Sequence, residues 1–80
     1  MNENIFDKLL SFLNRLAEAK ISYSLLHDRE DMIMVIIAVP GERWEIEFGS
    51  NGKVEVERFI STGEIEYESA LEDLFRRFSD

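Results

Sequence analysis

The sequence predicts an α+β fold: a four-stranded antiparallel meander with N- and C-terminal helices packed on one face, in the order α-β-β-β-β-α. Three observations predict it. Apolar residues recur at helical spacing at both ends of the 80-residue chain. Between them lie four segments that alternate or run apolar as strands do. The breaks separating those segments are too short for parallel crossovers, so neighbouring strands must run antiparallel. Eighty residues have room for one core, and residues 1–80 read as a single domain.

From Asn4 to about Lys20 the pattern is helical. Ile5, Phe6, Leu9, Leu10, Phe12, Leu13, Leu16 and Ala17 fall on one side, and Asp7, Ser11, Asn14, Arg15 and Glu18 on the other. Asn2 or Asn4 can cap the start, where Glu3 and Asp7 suit the positive end of the helix dipole. The apolar side covers about half the circumference, which predicts contact with both a sheet and a second helix.

Ile21 to Leu26 alternates and reads as strand one, followed by a charged turn at His27-Asp-Arg-Glu-Asp31. Met32 to Val39 is apolar at both parities, the mark of an interior strand. Pro40-Gly41 makes a turn, and Arg43–Phe48 and Lys53–Ile60 are strands three and four. Ser61-Thr-Gly63 breaks the chain, and Gly63–Glu66 reads equally as a loop or a short fifth strand. The closing helix places Tyr67, Leu71, Leu74, Phe75 and Phe78 on a stripe about 100° wide, with Arg76 and Arg77 near its negative end.

Burial dictates the register. Trp44, Ile46 and Phe48 share one face of strand three, as Val54 and Val56 do in strand four. A three-residue Ser50-Asn51-Gly52 loop with left-handed Gly52 brings those sets together, whereas a two-residue loop puts them on opposite faces. Phe48 then faces Val54, and Ile46 faces Val56. Glu47 falls opposite Glu55 and Glu45 opposite Glu57, at a cost of a few tenths to about 1 kcal/mol per like-charged pair. An even loop at Pro40-Gly41 puts Ile33, Val35, Ile37 and Val39 with the core set. Met34, Ile36, Ala38 and Phe59 then share the glutamates' face, uncovered if both helices lie on the other. For strand one, an odd turn sends Ile21, Tyr23 and Leu25 to the core, and an even one sends Tyr23 to the open face. The first is preferred.

Composition narrows the functional classes. Seventeen acidic against nine basic residues give a net charge of −8, which repels nucleic acid and anionic membranes and attracts basic partners or cations. The longest apolar run, Met32–Val39, is far short of the roughly 20 residues of a membrane span. The absence of cysteine and the acidic Met-Asn-Glu-Asn start fit a soluble cytoplasmic protein. His27, the one histidine, has no catalytic serine motif to serve, and neither a P-loop nor a G-x-G-x-x-G occurs. No enzyme activity and no cofactor are expected. Carboxylates on a flat sheet do not converge into the six to eight oxygens that Ca²⁺ requires, so metal binding is the weakest alternative. Trp44 and Arg58 are opposed on the core face, which predicts a guanidinium laid over the indole.

Gly41-Glu-Arg-Trp-Glu-Ile-Glu-Phe48, Gly52-Lys-Val-Glu-Val-Glu57 and Gly63-Glu-Ile65 together resemble small acidic bacterial proteins, some of them similar to immunity proteins of polymorphic toxin systems. The resemblance spans about the second half of the chain and implies a non-enzymatic inhibitor of a toxin. Glutamates on a solvated face also serve solubility. Met34, Ile36 and Ala38 beside them do not, and they point to an interaction surface. The expectation is a module that binds a basic protein partner through Glu45, Glu47, Glu55, Glu57, Met34, Ile36 and Phe59. The alternative is a weak homodimer in place of a monomer.

Overall fold

The computed structural model of the chain describes residues 4–59 and 65–78. Helix α1 (Ile5–Glu18) leads into strands β1 (Tyr23–Arg29), β2 (Met32–Val39), β3 (Glu42–Gly49), β4 (Val54–Phe59) and β5 (Ile65–Tyr67). One turn of 3-10 helix (Glu68–Ala70) then enters α2 (Leu71–Phe78). The sheet is antiparallel throughout, in the order β1-β2-β3-β4-β5. The expected meander with a helix at each end is present, extended by a fifth strand. Tyr67, whose spacing fitted the helical stripe, closes β5 instead. Asn2, Glu3, Ile60 and the Ser61-Thr-Gly63 break lie outside the described residues, as does the side chain of Phe78.

Helix α1 starts at Asn4, whose side-chain oxygen accepts the backbone N–H of Asp7 at 2.8 Å. It ends in a Schellman motif. The N–H of Ile21 reaches the carbonyl of Leu16 at 2.9 Å and that of Lys20 reaches Ala17 at 3.1 Å. Lys20 must therefore adopt φ 61°, a region where its Cβ crowds the backbone and where glycine is the usual occupant. Lys20→Gly is expected to stabilise the protein by roughly 0.5–1 kcal/mol, read as a higher urea midpoint. A midpoint at or below wild type would show that the cap is not strained.

The two tight hairpins follow from their glycines. Gly41 takes φ +79° behind Pro40, whose ring sets the preceding φ, and the pair makes a two-residue loop between Val39 and Glu42. Gly52 takes φ +85° in a three-residue loop closed by Gly49 N–H to Lys53 O at 2.9 Å. The Asn51 side chain accepts the Lys53 N–H at 2.9 Å. The predicted register holds: Phe48 pairs with Val54, Ile46 with Val56, and Trp44 with Arg58.

Both helices lie on the face that carries these residues. The core joins Phe12 and Leu16 of α1 to Val35, Ile37, Trp44, Ile46, Phe48, Val54 and Val56 of the sheet and to Leu71, Leu74 and Phe75 of α2. Phe12 is the meeting point, its ring 5.5 Å from that of Phe48 and 5.7 Å, edge-on, from that of Phe75.

Charged ties fix the helices in place. Arg15 reaches from α1 to Glu72 at 2.9 and 3.3 Å and sits 4.0 Å above the Phe75 ring. The hydrogen bond from Arg15 holds the Glu72 carboxyl below its ordinary range. Lys8 meets Glu68 at 3.2 Å. At the far end of the sheet Arg58 stacks on Trp44, 4.3 Å from the ring centroid, and pairs with Asp73 at 3.1 Å. Asp73 also takes Arg76 at 2.6 Å and Arg77 at 3.3 Å, and its carboxyl is held low chiefly by the hydrogen bond from Arg76. Arg77 continues to Glu42, a buried carboxylate that accepts the Trp44 indole N–H at 3.0 Å. The expected indole–guanidinium stack is therefore one part of a six-member cluster. Glu42 shares the parity of Trp44 and points inward with it.

Strand β1 departs from expectation at both ends, starting at Tyr23 rather than Ile21. It runs on through His27, Asp28 and Arg29, and the turn is the even pair Glu30-Asp31 rather than an odd one. An irregularity between Leu26 and Arg29 absorbs the difference, so Tyr23 still pairs with Ile37 and Leu25 with Val35 on the helix side. Those two side chains are nevertheless 40% and 52% exposed. The helices sit chiefly over the middle of the sheet, where α1 meets β3 and α2 ties to β3 and β4, and β1 is left exposed along its length. Among the described residues, no helix is long and apolar enough to cross a membrane.

Candidate functional site

The sheet face away from the helices is built in rows, because antiparallel partners project to the same side. One row runs Leu26, Met34, Glu47, Glu55, Tyr67. The next places Ser24, Ile36, Glu45 and Glu57 side by side. A third crosses Ala38, Arg43 and Phe59. All seven residues expected at this site therefore share one surface, and both glutamate pairs are directly opposed.

Two arginines missing from the expectation modify that surface. Arg29, at the end of β1, reaches past β2 to Glu47, with Nε at 3.1 Å and Nη2 at 2.5 Å, and stands 3.7 Å from Glu55. The bond to Glu47 raises the Arg29 guanidinium further above its already high value. Arg43, two residues before Glu45 on the same strand, holds that carboxylate at 2.9 Å. Arg43 was legible from its i, i+2 spacing; Arg29 depended on the irregular end of β1. Each exposed pair contributes about 0.2–1 kcal/mol at most, so their main effect is to orient Glu45 and Glu47. Among the described residues no cation is paired with Glu57.

Met34 and Ile36 are half-buried between β1 and these carboxylates, and Ala38, Phe59 and Tyr67 are exposed around them. What the face offers is fixed negative charge next to apolar area. Among the described residues, no three carboxylates or imidazoles gather as metal ligands would.

A second concavity lies on the helix side. A groove of about 240 Å³ opens between the first turn of α1 and the adjoining hairpin ends, with Ile5, Phe6, Leu9, Met32, Ile33 and Phe48 as its apolar walls. Its rim carries His27, Glu30, Asp31 and Ser50. One His27 ring nitrogen lies 3.4 Å from the Glu30 carbonyl, and Ser50 donates its N–H to the Asp31 carbonyl at 2.9 Å; these contacts brace the hairpin ends. The groove is smaller than the roughly 300–1,000 Å³ of small-molecule sites. No family model, curated protein or solved structure matches this chain.

Proposed function

We propose that the chain is a non-enzymatic interaction module, of the immunity or inhibitor kind, that binds a basic protein through the open sheet face in the cytoplasm. One observation carries this reading. Among the described residues no element covers one face of the sheet, and that face sets Met34 and Ile36 beside two directly opposed glutamate pairs. A solvated face has no need of methionine and isoleucine at its centre, whereas a contact surface does.

The opposed glutamates give such a surface a binding advantage. Arg29 already offsets the Glu47–Glu55 opposition. Among the described residues Glu57 has no such neighbour, so the Glu45–Glu57 pair costs the free protein up to about 1 kcal/mol. A partner's lysine or arginine placed beside it relieves that repulsion. The acidic field speeds the encounter, and the apolar strip supplies contact area once the partner has docked.

Glu57→Lys tests this with a substitution that separates binding from folding. It converts the Glu45–Glu57 opposition into attraction, so the urea midpoint should rise by the equivalent of a few tenths to about 1 kcal/mol. Capture of a basic protein from cells of the source organism should fall, and binding of that protein, once purified, should weaken by about tenfold or more. If the same proteins bind wild type and variant equally, the open face is not the docking surface.

A further inference from the structure

We infer that two copies of this chain join through their β1 edges, antiparallel about a two-fold axis at Leu25, to form one continuous ten-stranded sheet. The inference rests on β1 rather than on the open-face reading above. The two edges of the sheet differ. β5 is three residues long and runs straight into the 3-10 turn, a length that limits edge pairing. β1 has seven residues, every one of them exposed. The devices that blunt an edge, a backbone irregularity and charged side chains, occur only at its far end, from Asp28 onward. From Ile21 to Leu26 the chain carries no charge and no proline, within a protein of net charge −8.

Apolar side chains flank this open edge on both sides. Tyr23 and Leu25 project on the helix side and Leu26, 45% exposed, on the other. On α1, Phe6 and Leu10 lie one turn apart on the same flank, 63% and 42% exposed, and Phe6 lines the groove above Ile33. These five side chains expose on the order of 400 Å² per copy. Two copies, with the strand backbones between them, reach the roughly 1,000 Å² at which interfaces become specific. The uncovered strip beside α1 is thus filled by the same strip of a second molecule.

Symmetry and charge both permit the joint. Antiparallel partners share a face, so Leu25 against Leu25 keeps both helix layers on one side and sets Ser24 opposite Leu26 on the other. The glutamates of β3 lie two strands in from the joint. Across it, the two β3 strands are five spacings apart, about 24 Å, which exceeds the screening length of about 8 Å at physiological salt. Pairing by edges therefore avoids the repulsion that stacking two open faces would meet.

Sedimentation of the full chain from micromolar to millimolar concentration tests the inference. The wild type should pass from monomer to dimer, more readily as salt screens the net charge. Leu25→Lys, at a half-exposed position that leaves the core intact, should raise the dimer dissociation constant at least 100-fold while the far-ultraviolet circular dichroism stays unchanged. Because the native chain has no cysteine, Leu25→Cys offers an independent reading. It should oxidise to a disulfide-linked dimer far faster than Ser50→Cys, which lies in a hairpin loop. A wild type that stays monomeric up to millimolar concentration overturns the inference. So does a dimer that is insensitive to Leu25→Lys, or one that responds to Glu57→Lys instead.

Discussion

Trp44→Ala should cost about 3–5 kcal/mol, the largest loss of any single substitution considered for this protein. Trp44 is fully buried near the start of β3. Its ring carries the Arg58 guanidinium on one face, and its N–H is held by Glu42. Truncation opens a cavity between sheet and α2, removes the platform under Arg58 and leaves Glu42 without one of its donors. A domain of this size has a total stability of about 5–15 kcal/mol, so the variant will sit near its unfolding threshold. Since the protein has one tryptophan, urea unfolding must be followed by far-ultraviolet circular dichroism. A loss below about 1 kcal/mol would mean that the sheet end is packed far less tightly than its burial indicates.

Glu42→Ala should cost about 2–3 kcal/mol, through a different mechanism. Its carboxylate is the acceptor for the Trp44 indole, and removing it leaves a buried N–H unsatisfied, at about 1–3 kcal/mol. The remainder is the tie to Arg77, discounted because that guanidinium is 40% exposed and keeps Asp73. Glu42→Gln keeps an oxygen for the indole but drops the charge, so it should lose about 1 kcal/mol. Urea midpoints for the two variants separate these contributions. If the alanine variant falls within about 0.5 kcal/mol of wild type, water replaces the carboxylate at the indole.

The sequence revealed the middle of this molecule better than its edges, for a physical reason. The β2–β3–β4 register is over-determined. Burying Trp44, Ile46, Phe48, Val54 and Val56 together admits one parity, and Pro40-Gly41 and Gly52 supply turns of the lengths required. The glutamate oppositions were legible as a by-product. At the edges a strand is wet on both sides, so neither alternation nor hydrophobicity marks it. His27, Asp28 and Arg29 look like a turn, yet they continue β1 with every residue exposed. β5 is too short to show a period, and Tyr67 fitted a helical stripe by spacing alone.

Glu42 was missed for another reason. It stands beside a turn, where a carboxylate usually meets water, and its partner Arg77 lies 35 residues away. Only its shared parity with Trp44 signalled an inward position. The same gap hid Arg29, whose two carboxylates lie on strands two and three places across the sheet.

The strictly sequential strand order also bears on how quickly the structure assembles. Each strand pairs with its neighbour in the chain, and the hairpin loops between β1 and β4 are two or three residues long, so most of the sheet can zip up without closing a long loop. Chains dominated by such local contacts fold on the order of milliseconds or faster. The contacts that span the molecule are those between the helices: Phe12 with Phe75 in the core, and the ties of Lys8 with Glu68 across 60 positions and Arg15 with Glu72 across 57. Their loop-closure cost falls on the last stage, when α2 settles beside α1 on a sheet already formed. This helix packing thus has little bearing on how fast the protein forms and acts mainly as a latch, slowing the rate at which it comes apart.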